Sequence, residues 1–520
     1  MSPITWMLVL PLVAAVGLAL VPERYARLVR GITLAVTATM AVLALHMAMG
    51  YDAAPVGEGG YRFVQRIPWV ESVGIAYAVG VDGINLGLVI LAAVVAFAAA
   101  CMASEIRERS REFHILLLVM AGGLVGAFAS LDLFLLYVFH EFALVPTFLM
   151  IGLWGRGERR GYAAFQITIY LTIGALIALI GLIALYLQAG IQSFDLVTLT
   201  DHFAANPLSA ARQNFIFPWL LFGLGILVSL WPFHTWAPLG YGVAPTATAM
   251  LHAGVLKKFG LYVLLKVAIP MLPEGARTWL PLLAWLCLGN ILYCGWVAMR
   301  QRDLNLLIGN SSVAHVGFVF LGLVSLTTLG LTGAVVVMIA HGLLAALSFA
   351  LSGWMYGQTR SLDMSAMGGL LQRMPFIGTL MIMAMMAGCG LPGFGNFVGE
   401  ALVLFGGWKS DLAVGANGLS LRGFVVAAAW GALVVAAVYM LRGIRLIWHG
   451  PAGGPGWEGA SDPAGAWRKL PFVLLLGCLL AIGVWPRLLT DRIEPAARAI
   501  AEGVAQSRPA PNLAAHAAVP

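Results

Sequence analysis

Residues 227–266 read LVSLWPFHTWAPLGYGVAPTATAMLHAGVLKKFGLYVLLK, and the rest of the fold follows from this stretch. It starts and ends as apolar helix. Pro232, Pro238, Gly240, Gly242 and Pro245 interrupt it, and His234, His252, Lys257 and Lys258 lie within it. Proline removes a helical hydrogen bond and clashes with the preceding turn. Hydrocarbon offers no partner for the freed backbone groups, so such a break persists only where protein or a wet cavity surrounds it. A lysine at the bilayer centre costs about 2.5–3.5 kcal/mol even on the translocon insertion scale. A broken helix carrying intramembrane charge therefore points to an ion path.

The flanking chain fits that reading. Of 520 residues, 61% are hydrophobic and 10% charged, and the mean hydropathy is +0.90. A soluble domain carries about 25% charged residues, so the composition describes an all-α integral membrane protein with little mass outside the bilayer. Apolar runs long enough for about 30 Å of hydrocarbon predict about fourteen transmembrane helices. They lie near residues 3–22, 31–50, 84–103, 113–130, 132–154, 163–188, 215–231, 243–269, 279–299, 304–326, 329–356, 375–407, 423–447 and 470–488. The first of these has no basic residue before it, so it reads as a span and not as a cleaved signal peptide. Residues 51–83 hold Tyr61, Phe63, Val64, Ile67, Val70 and Val73 between turn formers, the pattern of a small extramembrane hairpin. Residues 450–467 form a Gly/Pro-rich linker, and the tail after Arg487 reads as short and polar.

The formal charge of +7 is scattered between apolar runs, which marks topology and not a nucleic-acid partner. With the first inter-helix loop inside, the inner loops hold Arg24, Arg27, Arg30, Arg107, Arg109, Arg111, Arg156, Arg159, Arg160, Arg300 and Arg302, and further basic residues follow on that side. The opposite loops hold Arg62, Arg66, Arg212, Arg277, Lys409 and Arg422, with four more arginines in the tail. Both termini are therefore expected on the outer side of a bacterial-type inner membrane. Cys101, Cys287, Cys294, Cys389 and Cys478 form no CxxC pair, and there is no glycine-rich dinucleotide fingerprint. No cofactor is expected in this chain.

A second interrupted segment, GCGLPGFGNFVGE at 388–400, lies about five spans after the first. Two broken segments at matching positions predict two inverted five-helix repeats with the transport site between them. The expected division is 1–112, holding three flanking helices and the hairpin, 113–269 and 270–449 as the repeats, and 450–520 as linker, last span and tail. Candidate ion-path residues follow from charge inside spans: Glu141 in the fifth, Lys257 and Lys258 in the eighth, and Glu400 beside the second break. His252, His315 and His341 add groups able to pass a proton between two ring nitrogens. His234 sits nearer the inner mouth. Adjacent lysines point about 100° apart, so only one of the pair faces the path. Lys266, two turns later, is expected to snorkel to the interface. No two histidines show a metal-ligand spacing on one helix.

The collinear runs HEFALVPTFLMIGLWG, PFHTWAPLGYGVAPTATAMLHAGVLKKFGLY, SSVAHVGFV, MIAHGLLAALSF and GLPGFGNFVGEALVLFG resemble the antiporter-like proton-pumping subunits of respiratory complex I, subunit M (the homologue of mitochondrial subunit 4) in particular. The resemblance spans about residues 60–447. It implies fourteen spans with broken seventh and twelfth helices, and a midplane chain of charge on Glu141, Lys258, His315, His341 and Glu400. Lys257, His252 and His234 remain accessory candidates. It also implies neighbouring membrane subunits, with FMN, iron–sulfur clusters and quinone in partner subunits. The chain departs from that pattern at Leu227, where the resemblance implies a lysine that answers the fifth-span Glu. Leu239 and Tyr241 stand where an Asp and a His are usual, and Asp303 is followed by Leu304, Asn305 and Leu306 in place of a basic pair. The sequence leaves open the related D-type component of a multisubunit sodium/proton antiporter, an ion-path subunit of a membrane-bound hydrogenase or inorganic-carbon uptake complex, and a non-pumping structural spacer.

Overall fold

The computed structural model describes residues 1–414, 419–450 and 459–507. Among them, ten helices are long and apolar enough to cross a membrane. The helix Pro3–Ala19 and three interrupted units complete the fourteen spans. The interrupted units are the seventh span (Ala210–Leu227 and Trp236–Val243), the eighth (246–271) and the twelfth (Pro375–Gly388 and Gly395–Trp408). The chain is an all-α integral membrane protein.

Position in the bundle follows from side-chain character. The tenth span, Leu304–Ser325, and the eleventh, Thr328–Thr359, are buried along the whole of their apolar cores. A helix that is hydrophobic all round belongs in the interior. In contrast, the sixth span, Arg160–Ala189, presents Phe165, Ile169, Ile173 and Ile180 outward. His315 and His341 are therefore carried by the two most enclosed helices.

Small residues set how closely these helices approach, as usual in membranes. A Cβ on Gly406 of the twelfth span would lie 2.3 Å from the backbone nitrogen of Gly330 in the eleventh, and one on Gly333 would lie 2.6 Å from that of Val403. Backbone meets backbone there, so no side chain can give way. The same device seats the seventh span on the sixth: a Cβ on Gly223 would come within 2.3 Å of the Ala178 nitrogen.

Between the second and third spans the chain forms a hairpin, Arg62–Val70 antiparallel to Ile75–Val81, turned at Gly74 with φ +75°. Two expectations are corrected here. The tail is not short and polar: Arg487–Gln506 is a 20-residue helix whose Ile493, Ala497 and Val504 are buried. Its charges dilute the hydropathy that a span count relies on, while its apolar residues still share one face. Arg492 ties it to Asp52 at 2.8 Å, and the Arg277 guanidinium donates to the Val504 carbonyl. Lys266 does not snorkel. Its Nζ is 2.6 Å from Asp82 Oδ2 and 4.9 Å from the Tyr61 ring centre, a nearly enclosed ion pair beneath the hairpin. Of the Gly/Pro-rich linker, residues 451–458 lie outside the described residues, as does the tail from 508.

Gly406→Val is expected to force the eleventh and twelfth spans apart and cost about 1–3 kcal/mol. Thermal unfolding of the purified protein should show a lower midpoint than wild type. Gly423→Ala, where an added Cβ meets nothing within 4 Å, should not lower it.

Candidate functional site: a buried line of lysine, histidine and glutamate

The seventh-span break is narrower than the proline and glycine pattern suggests. Residues 228–235 leave helical geometry, with Ser229 at φ +62° and a cis Trp231–Pro232 peptide. Pro238, Gly240 and Gly242 lie inside the resumed helix Trp236–Val243. Pro238 is tolerated because it falls in the first turn, where amide hydrogens have no helical partner. Pro245 precedes the eighth span, whose Thr246 amide donates to Glu105 Oε1 at 2.7 Å.

Asn290 of the ninth span holds the break together. Its Oδ1 accepts from the Trp231 amide at 2.8 Å, and its Nδ2 donates to the carbonyls of Ser229 at 3.0 Å and Val313 at 3.1 Å. Trp236 Nε1 donates to the Ile226 carbonyl at 3.1 Å. Protein thus supplies the partners that lipid cannot.

The eighth span kinks at Val255, and residues Leu256–Lys258 form a tight 3₁₀ turn. Both lysines are 1% exposed. Their ammonium groups diverge, as adjacent helical positions require. Lys258 Nζ donates to the Ala253 carbonyl of its own helix at 2.6 Å. Lys257 Nζ donates to Ser312 Oγ at 3.3 Å and lies 5.8 Å from the Tyr241 ring centre.

From Ser312 the polar contacts continue. Ser312 Oγ is 3.0 Å from His341 Nε2, and the rings of His341 and His315 stack at 5.1 Å with 7° between their planes. His315 Nδ1 is 2.7 Å from the Ser311 carbonyl; its Nε2 is 3.2 Å from the Gly388 carbonyl and 3.6 Å from Glu400 Oε1. All three are oxygen acceptors, so a doubly protonated ring would find a partner for each N–H. A cavity of about 10 Å³ adjoins His315, Glu400, Tyr439 and Ile291, enough for one water.

The twelfth-span break supplies two of these groups. Pro375–Gly388 ends at the carbonyl that faces His315, and Gly395–Trp408 carries Glu400 in its second turn. Glu400 is therefore beside the unwound residues and not among them. Gly390 (φ +69°) and Gly393 (φ +101°) turn the chain in the left-handed region that glycine enters freely. A Cβ on Gly390 would also sit 2.9 Å from Glu400 Oε2.

Lys257, His341, His315 and Glu400 are thus brought together, with Lys258 beside them. His252 packs near the lysine end through ring contacts, stacked on Trp236 at 5.4 Å and edge-on to Tyr241 at 5.4 Å. His234 stands apart, buried against Tyr293 at 5.8 Å. Glu141 is outside the line: its side chain is 31% exposed on the flank of the fifth span (Leu133–Trp154), and its ion-pair partner among the described residues is His140 at 3.5 Å. Leu227 is buried apolar packing at the end of the first half-helix. Ser312, Asn290 and Tyr439 went unread in the sequence. Their signal was available, as polar residues inside apolar spans, with Ser312 three positions before His315 on the same helix face. Among the described residues, no group of three His, Cys, Asp or Glu could hold a metal ion.

The family described as "NADH:quinone oxidoreductase/Mrp antiporter, TM" matches residues 130–441. The chain belongs to this family. It is 33% identical over 516 residues to "NAD(P)H-quinone oxidoreductase chain 4" of Gloeobacter violaceus, covering 98% of this chain and 95% of that one. It is also similar to a chain of respiratory complex I from Thermus thermophilus, with a TM-score of 0.84, 27% identity, and 96% of this chain and 99% of that chain covered. A chain of an Mrp complex from Dietzia sp. shares the fold at a TM-score of 0.81 and 18% identity, covering 96% and 98%. The match region of this antiporter family takes in both broken helices and every residue of the buried line.

Replacing Asn290 by leucine should leave the Trp231 amide and the Ser229 and Val313 carbonyls without their partner, at about 1–3 kcal/mol per stranded group. A lowered thermal midpoint of the purified protein is the expected readout, and an unchanged midpoint would show that the break does not depend on this clamp.

Proposed function

We propose that the chain is a proton-translocating, antiporter-like membrane subunit of an NADH:quinone oxidoreductase type complex. The observation that carries this reading is the buried succession of Lys257, Ser312, His341, His315 and Glu400, enclosed by the two most buried helices. The family takes in both kinds of protein, and the relatives named as chain 4 of NAD(P)H-quinone oxidoreductase, at 33% identity, favour this reading over a sodium/proton antiporter, since the Dietzia Mrp chain at 18% identity shares the fold alone. The chain performs no redox chemistry itself. FMN, iron–sulfur clusters and quinone belong to partner subunits, and neighbouring membrane subunits complete the assembly.

In this reading Lys258, His315, His341 and Glu400 hold and pass the proton, with Lys257, His252 and His234 accessory and Glu141 the receiving carboxylate of the first half. Residues 113–269 and 270–449 act as two inverted repeats, each broken where its half-path meets the midplane. Both termini face outward and the arginine-rich loops face the cytoplasm. Protons are taken up through the first repeat near His252 and Tyr241, and released past Glu400. A second reading, a spacer that no longer pumps, is favoured by Leu227 and by the half-exposed Glu141, whose ion-pair partner among the described residues is His140.

Glu400→Gln separates the two. In the intact complex reconstituted into liposomes, the pumping subunit loses its contribution and the proton-to-electron ratio falls. A ratio equal to wild type, in a complex that assembles normally on native electrophoresis, would establish the spacer.

A further inference from the structure

The proton line in the second half needs a donor that touches it, and the resemblance assigns the eighth-span role to Lys258. The geometry points to Lys257, an accessory in the reading above, as the residue that hands the proton on to His341 through the Ser312 hydroxyl; this rests on the pumping reading and moves the eighth-span step within it from Lys258 to Lys257. Lys258 Nζ is turned back to the Ala253 carbonyl on its own helix. Lys257 Nζ reaches across to the tenth span and meets Ser312 Oγ at 3.3 Å. Ser312 Oγ is in turn 3.0 Å from His341 Nε2 on the eleventh span. One hydroxyl therefore bridges three helices.

While Lys257 is charged, hydrogen-bond direction orients the bridge toward His341. A charged lysine only donates, so Ser312 Oγ must accept from it, which leaves the serine O–H free to donate to the lone pair of His341 Nε2. The step balances as two coordinated proton shifts. The N–H bond of Lys257 breaks as an O–H bond forms on Ser312, and the original Ser312 O–H bond breaks as an N–H bond forms on His341. Lys257 is left a neutral amine, Ser312 is again a neutral hydroxyl, and His341 becomes an imidazolium stacked on His315. His315 then lies between that ring and Glu400, with Nε2 3.6 Å from Oε1. Ser312 is 1% exposed, so no bulk water competes for either bond.

The test compares Lys257→Met, Ser312→Ala, the double variant and Ser312→Thr with Glu400→Gln in the intact complex in liposomes, reading protons translocated per electron. Native electrophoresis verifies assembly. Lys257→Met and Ser312→Ala should each lower the ratio to the Glu400→Gln level. The double variant should go no lower, because both residues serve one step, and Ser312→Thr, which keeps the hydroxyl, should recover the wild-type ratio. A wild-type ratio in Ser312→Ala or Lys257→Met, alongside a lowered one in Glu400→Gln, would overturn the relay and leave pumping intact. A Ser312→Thr protein as impaired as Ser312→Ala would also overturn it, since the loss would then track packing and not the hydroxyl. Wild-type ratios in all of them would refute relay and pumping together.

Discussion

An ammonium group enclosed by hydrocarbon side chains must find oxygen, and Lys257 and Lys258 place two such groups side by side in the middle of the bundle. Much of the surrounding structure answers that demand. The eighth helix leaves α geometry at Val255, and the Ala253 carbonyl beside the kink accepts from Lys258. The tenth helix brings Ser312 to Lys257. The polar groups that satisfy one lysine are themselves polar groups needing partners, so the requirement is passed on to His341, then His315, and ends at Glu400. A continuous polar line through an apolar protein is the consequence of burying a charge at one end of it.

The two broken helices meet the same constraint by different means. In the seventh span the break is stitched by a side chain from another helix, because Asn290 offers both a donor and an acceptor to the exposed backbone. In the twelfth span glycine does the work: Gly390 and Gly393 take up left-handed backbone, and the Gly388 carbonyl freed by the turn faces His315. One break is therefore a clamp that holds geometry. The other is part of the polar line itself.

The halves of the molecule are unequal. The second holds an enclosed line that ends on a carboxylate, whereas in the first Glu141 sits on the flank of its helix with a histidine neighbour and Leu227 fills the position where a lysine is implied. His140 stacks on Phe259 at 4.0 Å, next in sequence to Lys258, so the fifth and eighth spans of the first half meet through aromatic packing. The partner that the structure gives Glu141 is the histidine next to it in sequence, not a lysine of the seventh span.

Hydropathy placed the fourteen spans, the two breaks and the ionisable residues within them, because a 30 Å apolar slab tolerates few sequences and charge inside it stands out. The amphipathic helix Arg487–Gln506 escaped, since its arginines and glutamates lower the average although its apolar side is regular. The ion pair of Lys266 with Asp82 escaped for a different reason: the partners are 184 positions apart and only folding brings them together. Sequence alone thus determined what lies in the membrane and which groups are charged there, properties of composition and local pattern. Which of two adjacent lysines meets the histidines, which serine joins them, and that Glu141 stands outside the line were decided by tertiary structure. These depend on how one helix is kinked and rotated against three others, and a kink at a single residue such as Val255 redirects a side chain without changing any pattern that can be read along the chain.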